Sequence, residues 1–229
     1  MNDLYKVCFH KIIMADKPER NYNIEEIYVP FHHELSKFCH AAKLLYNETN
    51  YILRQQFFAN RTKSKEEREI FKNATTLRHE INEKASHHHE TLGGTFFDLI
   101  IQQVVRDWKS FFVLNKLFSK DPPPLNGRPK PPHYKKVFPR DGETILPIRD
   151  RQGKIENGWL IFPKIIDYKV KTRLPDTTLY RGARVIPQAD GYKIEILYEV
   201  PLPPEPLPNN NRILGVDLGV GNLLTCVTN

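Results

Sequence analysis

The chain has 229 residues, enough for one large domain or two modest ones, and its 40% hydrophobic and 27% charged residues exclude a disordered composition. No stretch approaches the ~20 apolar residues of a membrane span, and the polar start at residues 1–5 predicts no secretory signal. Cys8, Cys39 and Cys226 lie far apart and form no C-x-x-C pair, so neither a disulfide framework nor a zinc knuckle is expected, which fits a reducing cytoplasm. The net charge of +7 is unevenly placed: residues 128–184 hold 14 basic and 6 acidic residues, while residues 1–120 nearly balance at 18 and 15. Such a concentration fits a polyanion, because neutralising phosphates releases their counterions; the alternative is a solvated face with no partner.

In chain order, Tyr5, Val7 and Phe9 alternate as one face of a strand at residues 5–10, and residues 24–29 suit a second short strand. A long helix follows Pro30. Its apolar stripe is Leu35, Phe38, Cys39, Ala42, Leu45, Tyr46, Ile52 and Leu53, at spacings near three and four. Ser64-Lys65-Glu66-Glu67 has capping-box form and predicts a second helix from Ser64, with Ile70, Ala74, Leu77 and Ile81 facing the core. His87-His88-His89 reads as a polar loop rather than a metal site, since adjacent histidines point in different directions. A third, strongly apolar helix is expected over residues 95–117, with Trp108 in the core.

Prolines crowd the next stretch, with Pro122, Pro123, Pro124, Pro129, Pro131 and Pro132 forbidding regular helix. Short strands are predicted at residues 159–162, 165–170 and 183–187. The strongest is 191–200, where Tyr192, Ile194, Ile196, Tyr198 and Val200 share a face. Asp190-Gly191 predicts a hairpin turn in which the glycine takes a positive φ. Residues 201–211 read as a stiff proline-rich linker, and residues 212–218 and 223–228 as two apolar strands. The expected fold class is α+β: a small β-barrel with an inserted helical lobe, then a final hairpin.

Asp217 is the most pointed residue, an aspartate among Leu214, Gly215, Val216 and Leu218. A carboxylate on such a strand needs a cation or hydrogen-bond donors. Magnesium is one answer; backbone amides of the adjacent glycine turn are the other. Basic residues with a ring among them form a second constellation: Arg128, Lys130, Lys135 and Lys136 surround Tyr134, with Lys164, Lys169, Lys171, Arg173, Arg181 and Arg184 further along. Cationic groups meet phosphates, and a tyrosine stacks on an unpaired base.

The run Leu214-Gly215-Val216-Asp217-Leu218-Gly219-Val220-Gly221-Asn222-Leu223-Leu224 resembles the first RuvC motif of the TnpB family. These are transposon-encoded RNA-guided DNA endonucleases, often described as transposases and similar to type V CRISPR effectors. Three other stretches agree in order: residues 43–55 resemble the family's first recognition helix, 127–136 its basic proline-rich return to the wedge domain, and 190–200 the hairpin before the nuclease. Gly221 departs from the polar residue common at that place. The resemblance implies a wedge barrel over 1–30 and 121–204, a helical recognition lobe over 31–120, a linker over 205–211, and the start of an RNase H-like nuclease over 212–229.

It also implies guide RNA and target DNA as partners, no membrane, and a prokaryotic cytoplasmic, nucleoid-associated setting. Asp217 would be the first nuclease carboxylate and a magnesium ligand. Arg128, Lys130, Tyr134, Lys135 and Lys136 would touch RNA. Tyr46, Asn47, Asn50, Arg54 and Gln55 are placed to face target-adjacent DNA; the plainer reading is a helix surface with Tyr46 packed in the core. Two-metal cleavage needs several carboxylates, so this stretch is expected to bind without cutting, holding no magnesium unless the nuclease is completed in trans. The alternatives are a cleavage-deficient RNA-guided regulator and an inactive structural fragment.

Overall fold

The computed structural model describes residues 20–120, 127–135 and 143–201, and the backbone of 214–217 and 225–228. The strand expected at residues 5–10 and nearly all of the linker lie outside these. Two compact units divide the chain: Tyr22–Val200, and a second assembled from Met1–Asn21 with Pro201–Asn229.

In the larger unit, strand β1 (Asn21–Pro30) leads into helix α1 (His33–Thr62), followed by α2 (Ala74–Lys84) and α3 (Ser86–Lys120). The predicted stripe of α1 is buried from Leu35 through Leu53, with Ile52 at its margin, and it packs on α3. Fully burying each large apolar side chain stabilises by about 1.5–3 kcal/mol. Trp108 sits at the centre with no exposed surface, its ring 5.3 Å from Phe57 and 5.2 Å from Phe71.

Two helix boundaries differ from the sequence reading. Ser64 to Glu67 closes a turn, Ser64 N donating to Glu67 at 3.1 Å, but no helix follows. Side chains of α1 take up the backbone groups of the next residues instead. Gln56 Nε2 donates to Ile70 O at 2.8 Å while its Oε1 accepts from Lys72 N at 3.0 Å, and Asn60 brackets Glu69 in the same way. Ile70 is consequently 93% exposed, and α2 starts after its N-cap Asn73, whose carboxamide accepts from Thr76 N at 3.0 Å. The histidine run is helical rather than a loop: α3 starts at Ser86 and is interrupted by Gly93, at φ 68° and ψ 156°. His88 is buried there, its Nε2 2.6 Å from Glu48 Oε2 of α1.

The remaining strands of this unit are β2 (Leu146–Arg149), β3 (Lys154–Glu156), β4 (Trp159–Ile161), β5 (Lys169–Lys171), β6 (Leu179–Pro187) and β7 (Gly191–Val200). They form two sheets, ordered β1-β7-β6-β2 and β3-β4-β5. Among the described residues these sheets are open; no barrel closes. The fold is mixed helix and antiparallel sheet, α+β as expected.

The β6–β7 hairpin pairs Val185 with Ile194 and Ala183 with Ile196, placing all four in the core. Gly191 does not take the predicted positive φ. Its reason is proximity: a Cβ there would collide with the carbonyl of Val29 on the neighbouring strand β1. Of the strand expected over 165–170 only its end is realised, because residues 164–166 form a turn with Ile166 N donating to Pro163 O at 2.8 Å. In the smaller unit, β8 (Leu214–Asp217) and β9 (Thr225–Thr228) pair antiparallel.

Candidate nucleic-acid interface

The proline-rich segment and α1 are fitted to each other by backbone chemistry. Pro131 and Pro132 have no N–H, so the segment offers mainly carbonyls. Donors on α1 at positions 47, 50 and 54, one helix face, meet them. Asn50 Nδ2 and Arg54 Nη1 both donate to Pro132 O, at 3.2 and 2.8 Å. Asn47 pairs like a strand neighbour: its Nδ2 donates to Lys135 O at 3.1 Å, and its Oδ1 accepts from Lys135 N at 2.7 Å. Asn50 has no exposed surface, and its Oδ1 accepts from Trp108 Nε1 at 2.9 Å. It therefore ties segment, helix and core together rather than presenting its amide to a base.

This clamp leaves Lys130, His133, Tyr134 and Lys135 exposed. They rim a groove of about 720 Å³ whose other wall includes Tyr46, Asp107, Phe111 and Leu114. Lys135 Nζ stands 4.5 Å from the centre of the Tyr46 ring, and the Arg54 guanidinium 5.3 Å from that of Tyr134. The Tyr46 hydroxyl donates to Asp107 Oδ2 at 2.6 Å, while Gln103 Nε2 donates to Asp107 Oδ1 at 2.7 Å. Burial, then the Asp107 contact, raises the Tyr46 pKa far above its ordinary value, so the phenol stays neutral. Tyr46 is a core residue with one face on the groove. Arg128 Nε donates to Asn115 Oδ1 at 3.3 Å, bringing a further cation toward the end of α3.

The basic residues of the sequence separate into two classes. Arg173 pairs with Glu25, Arg181 with Glu199, Arg184 with Glu195, and Lys193 with both Glu26 and Glu195. By contrast, Arg128, Lys130, Lys135, Lys164, Lys169 and Lys171 have no carboxylate at ion-pair distance among the described residues. Unneutralised cations beside exposed rings can bind phosphate and stack unpaired bases.

The other predicted site residues are dispersed. Gln55 is exposed on α1. Lys136 lies outside the described residues. Asp217 is the last residue of β8, in backbone register with Thr225, and its side chain is also outside them. Among the described residues no three His, Cys, Asp or Glu side chains gather as a metal site, and no helix is long and apolar enough to cross a membrane. The clamp itself went unread from the sequence. Its signal was a polar row at 47, 50 and 54 beside the apolar stripe, together with a segment poor in N–H groups.

No protein-family model matches this chain, and no curated protein matches it.

Proposed function

We propose that this chain binds guide RNA and contributes to target-DNA recognition, as the wedge and recognition portion of a TnpB-like RNA-guided DNA endonuclease. The observation that carries the reading is the groove between α1, α3 and residues 130–135, where Lys130, Tyr134 and Lys135 are held outward without carboxylate partners. In such a complex, base pairing reads most of the target, while the protein grips backbone and a short adjacent motif. Residues 1–30 and 121–204 are the wedge in this reading, and residues 31–120 the recognition lobe. The β8–β9 hairpin is the opening of an RNase H-like nuclease, in which Asp217 supplies one magnesium ligand. Two-metal cleavage takes several carboxylates, and the part proposed for the wedge and recognition residues is binding.

The test is to purify the protein expressed with its own genomic flanks and sequence the RNA that accompanies it. A single RNA species from the flank, lost in the K130E/K135E variant, is the expected result. For that variant, affinity for the RNA falls about tenfold or more and the salt slope shrinks by roughly 0.7 per lost phosphate contact. A folded protein carrying no RNA and binding none at low salt overturns the proposal.

A further inference from the structure

The three-stranded sheet β3-β4-β5 has an inner face of Ile155, Leu160 and Val170, all buried. Register places Lys154, Glu156, Trp159, Ile161, Lys169 and Lys171 on the opposite face. A tryptophan there is unusual chemistry for a surface that has already buried its apolar side. Trp159 is directly opposite Lys171, and Lys169 Nζ lies 4.9 Å from the centre of its ring. Lys154 is paired with Glu156 at 2.7 Å, whereas Lys169 and Lys171 are exposed and have no carboxylate partner among the described residues.

From this arrangement we infer that the outer face of β3-β4-β5 is a stacking platform for an unpaired RNA segment. A base lies against the Trp159 indole, and the ammonium groups of Lys169 and Lys171 take the flanking phosphates. The charge of the face suits an anion, and the flat half-buried ring suits a π-surface; an unpaired nucleotide offers both. Duplex hides its base faces in the stack and offers no such surface. The exposed ammonium over the ring is a weak contact in water and moves to a phosphate when a base arrives. This site stands apart from the groove of residues 130–135 and does not depend on the RNA-guided reading.

The molecule carries its own reporter. It has two tryptophans, and Trp108 is fully buried. Titrating the full chain with a short oligouridine at low salt is expected to quench the Trp159 emission and leave the blue-shifted Trp108 emission intact. In the K169E/K171E variant the quenching midpoint moves to about tenfold higher RNA concentration, with the far-ultraviolet circular dichroism unchanged. In W159F the quenching disappears, and anisotropy of labelled oligouridine reads a weakened affinity.

The inference is overturned by no quenching of Trp159, by quenching insensitive to K169E/K171E, or by equal quenching by a duplex of the same length. Tighter binding of oligothymidine than of oligouridine would also remove RNA as the occupant. The K130E/K135E variant separates the two sites. Retained Trp159 quenching in that background marks a platform independent of the groove, whereas lost quenching assigns the signal to the groove and removes the platform.

Discussion

Two basic regions of the chain meet opposite fates in the fold. On strands β6 and β7, Arg181, Arg184 and Lys193 each find a glutamate, so the charge is spent within the sheet and its edges. Along residues 128–135, the cations find none among the described residues, and amides of α1 fasten the backbone beneath them. Charge on the sheet serves cohesion; charge on the clamped segment meets no carboxylate among the described residues. The lesson is that basic residues identify an interface only after the internal pairs have been removed.

The largest way to break the sheet side of this contrast is Gly191→Ala. Its methyl group meets the Val29 carbonyl on β1, backbone against backbone, so the strands must part. A loss of about 3 kcal/mol or more is expected by denaturant titration. Second comes Asn50→Ala, which strips a partner from the buried Trp108 N–H and one donor from Pro132 O. We expect a loss of about 2–3 kcal/mol. Hydrogen exchange at residues 133–135 should also speed up, because the clamp loosens. If exchange there is unchanged, Asn47 and Arg54 hold the segment by themselves.

A smaller effect tests the paired side by pH. Hydrogen bonding from Lys193, followed by the Arg184 charge, holds the Glu195 carboxyl below its ordinary range. A carboxyl lowered in the folded state contributes stability above its unfolded value of about 4.3, and that contribution is lost as pH falls through the lower folded value. Glu195→Gln should therefore cost about 1 kcal/mol near neutrality. The gap to the wild type should close below about pH 4 in thermal melts. A gap that persists in acid shows that Glu195 acts through packing rather than charge. The smallest expected effect is that of Glu67→Ala. The turn it closes is exposed and starts no helix, so the melting temperature should not move.

Periodicity made much of the architecture legible. The stripe of α1, the core position of Trp108 and the full extent of β7 follow from spacings of three to four or of two, since water enforces those patterns residue by residue. Asn157-Gly158 is a local hairpin signal of the same kind. Both residues take positive φ and turn β3 into β4, the strands that carry the tryptophan platform. Conversely, Ser64 to Glu67 carries a sound local signal that the fold overrides, because Gln56 and Asn60 satisfy the following backbone without a helix.

The site was legible in composition but not in arrangement. Lys130, Tyr134 and Lys135 stand out in sequence as a basic, aromatic, proline-rich cluster, and they are exposed in the structure. Asn50 and Arg54 also stand out, yet their donors are engaged with Pro132, some eighty residues away. The sequence by itself determined which segments bury an apolar face and where positive charge accumulates, because both depend on neighbours along the chain. Only the tertiary structure decided which cations are neutralised, which amides are consumed as clamps and why Gly191 must be a glycine. Those outcomes depend on atoms brought within a few ångströms by folding, and no local pattern encodes them.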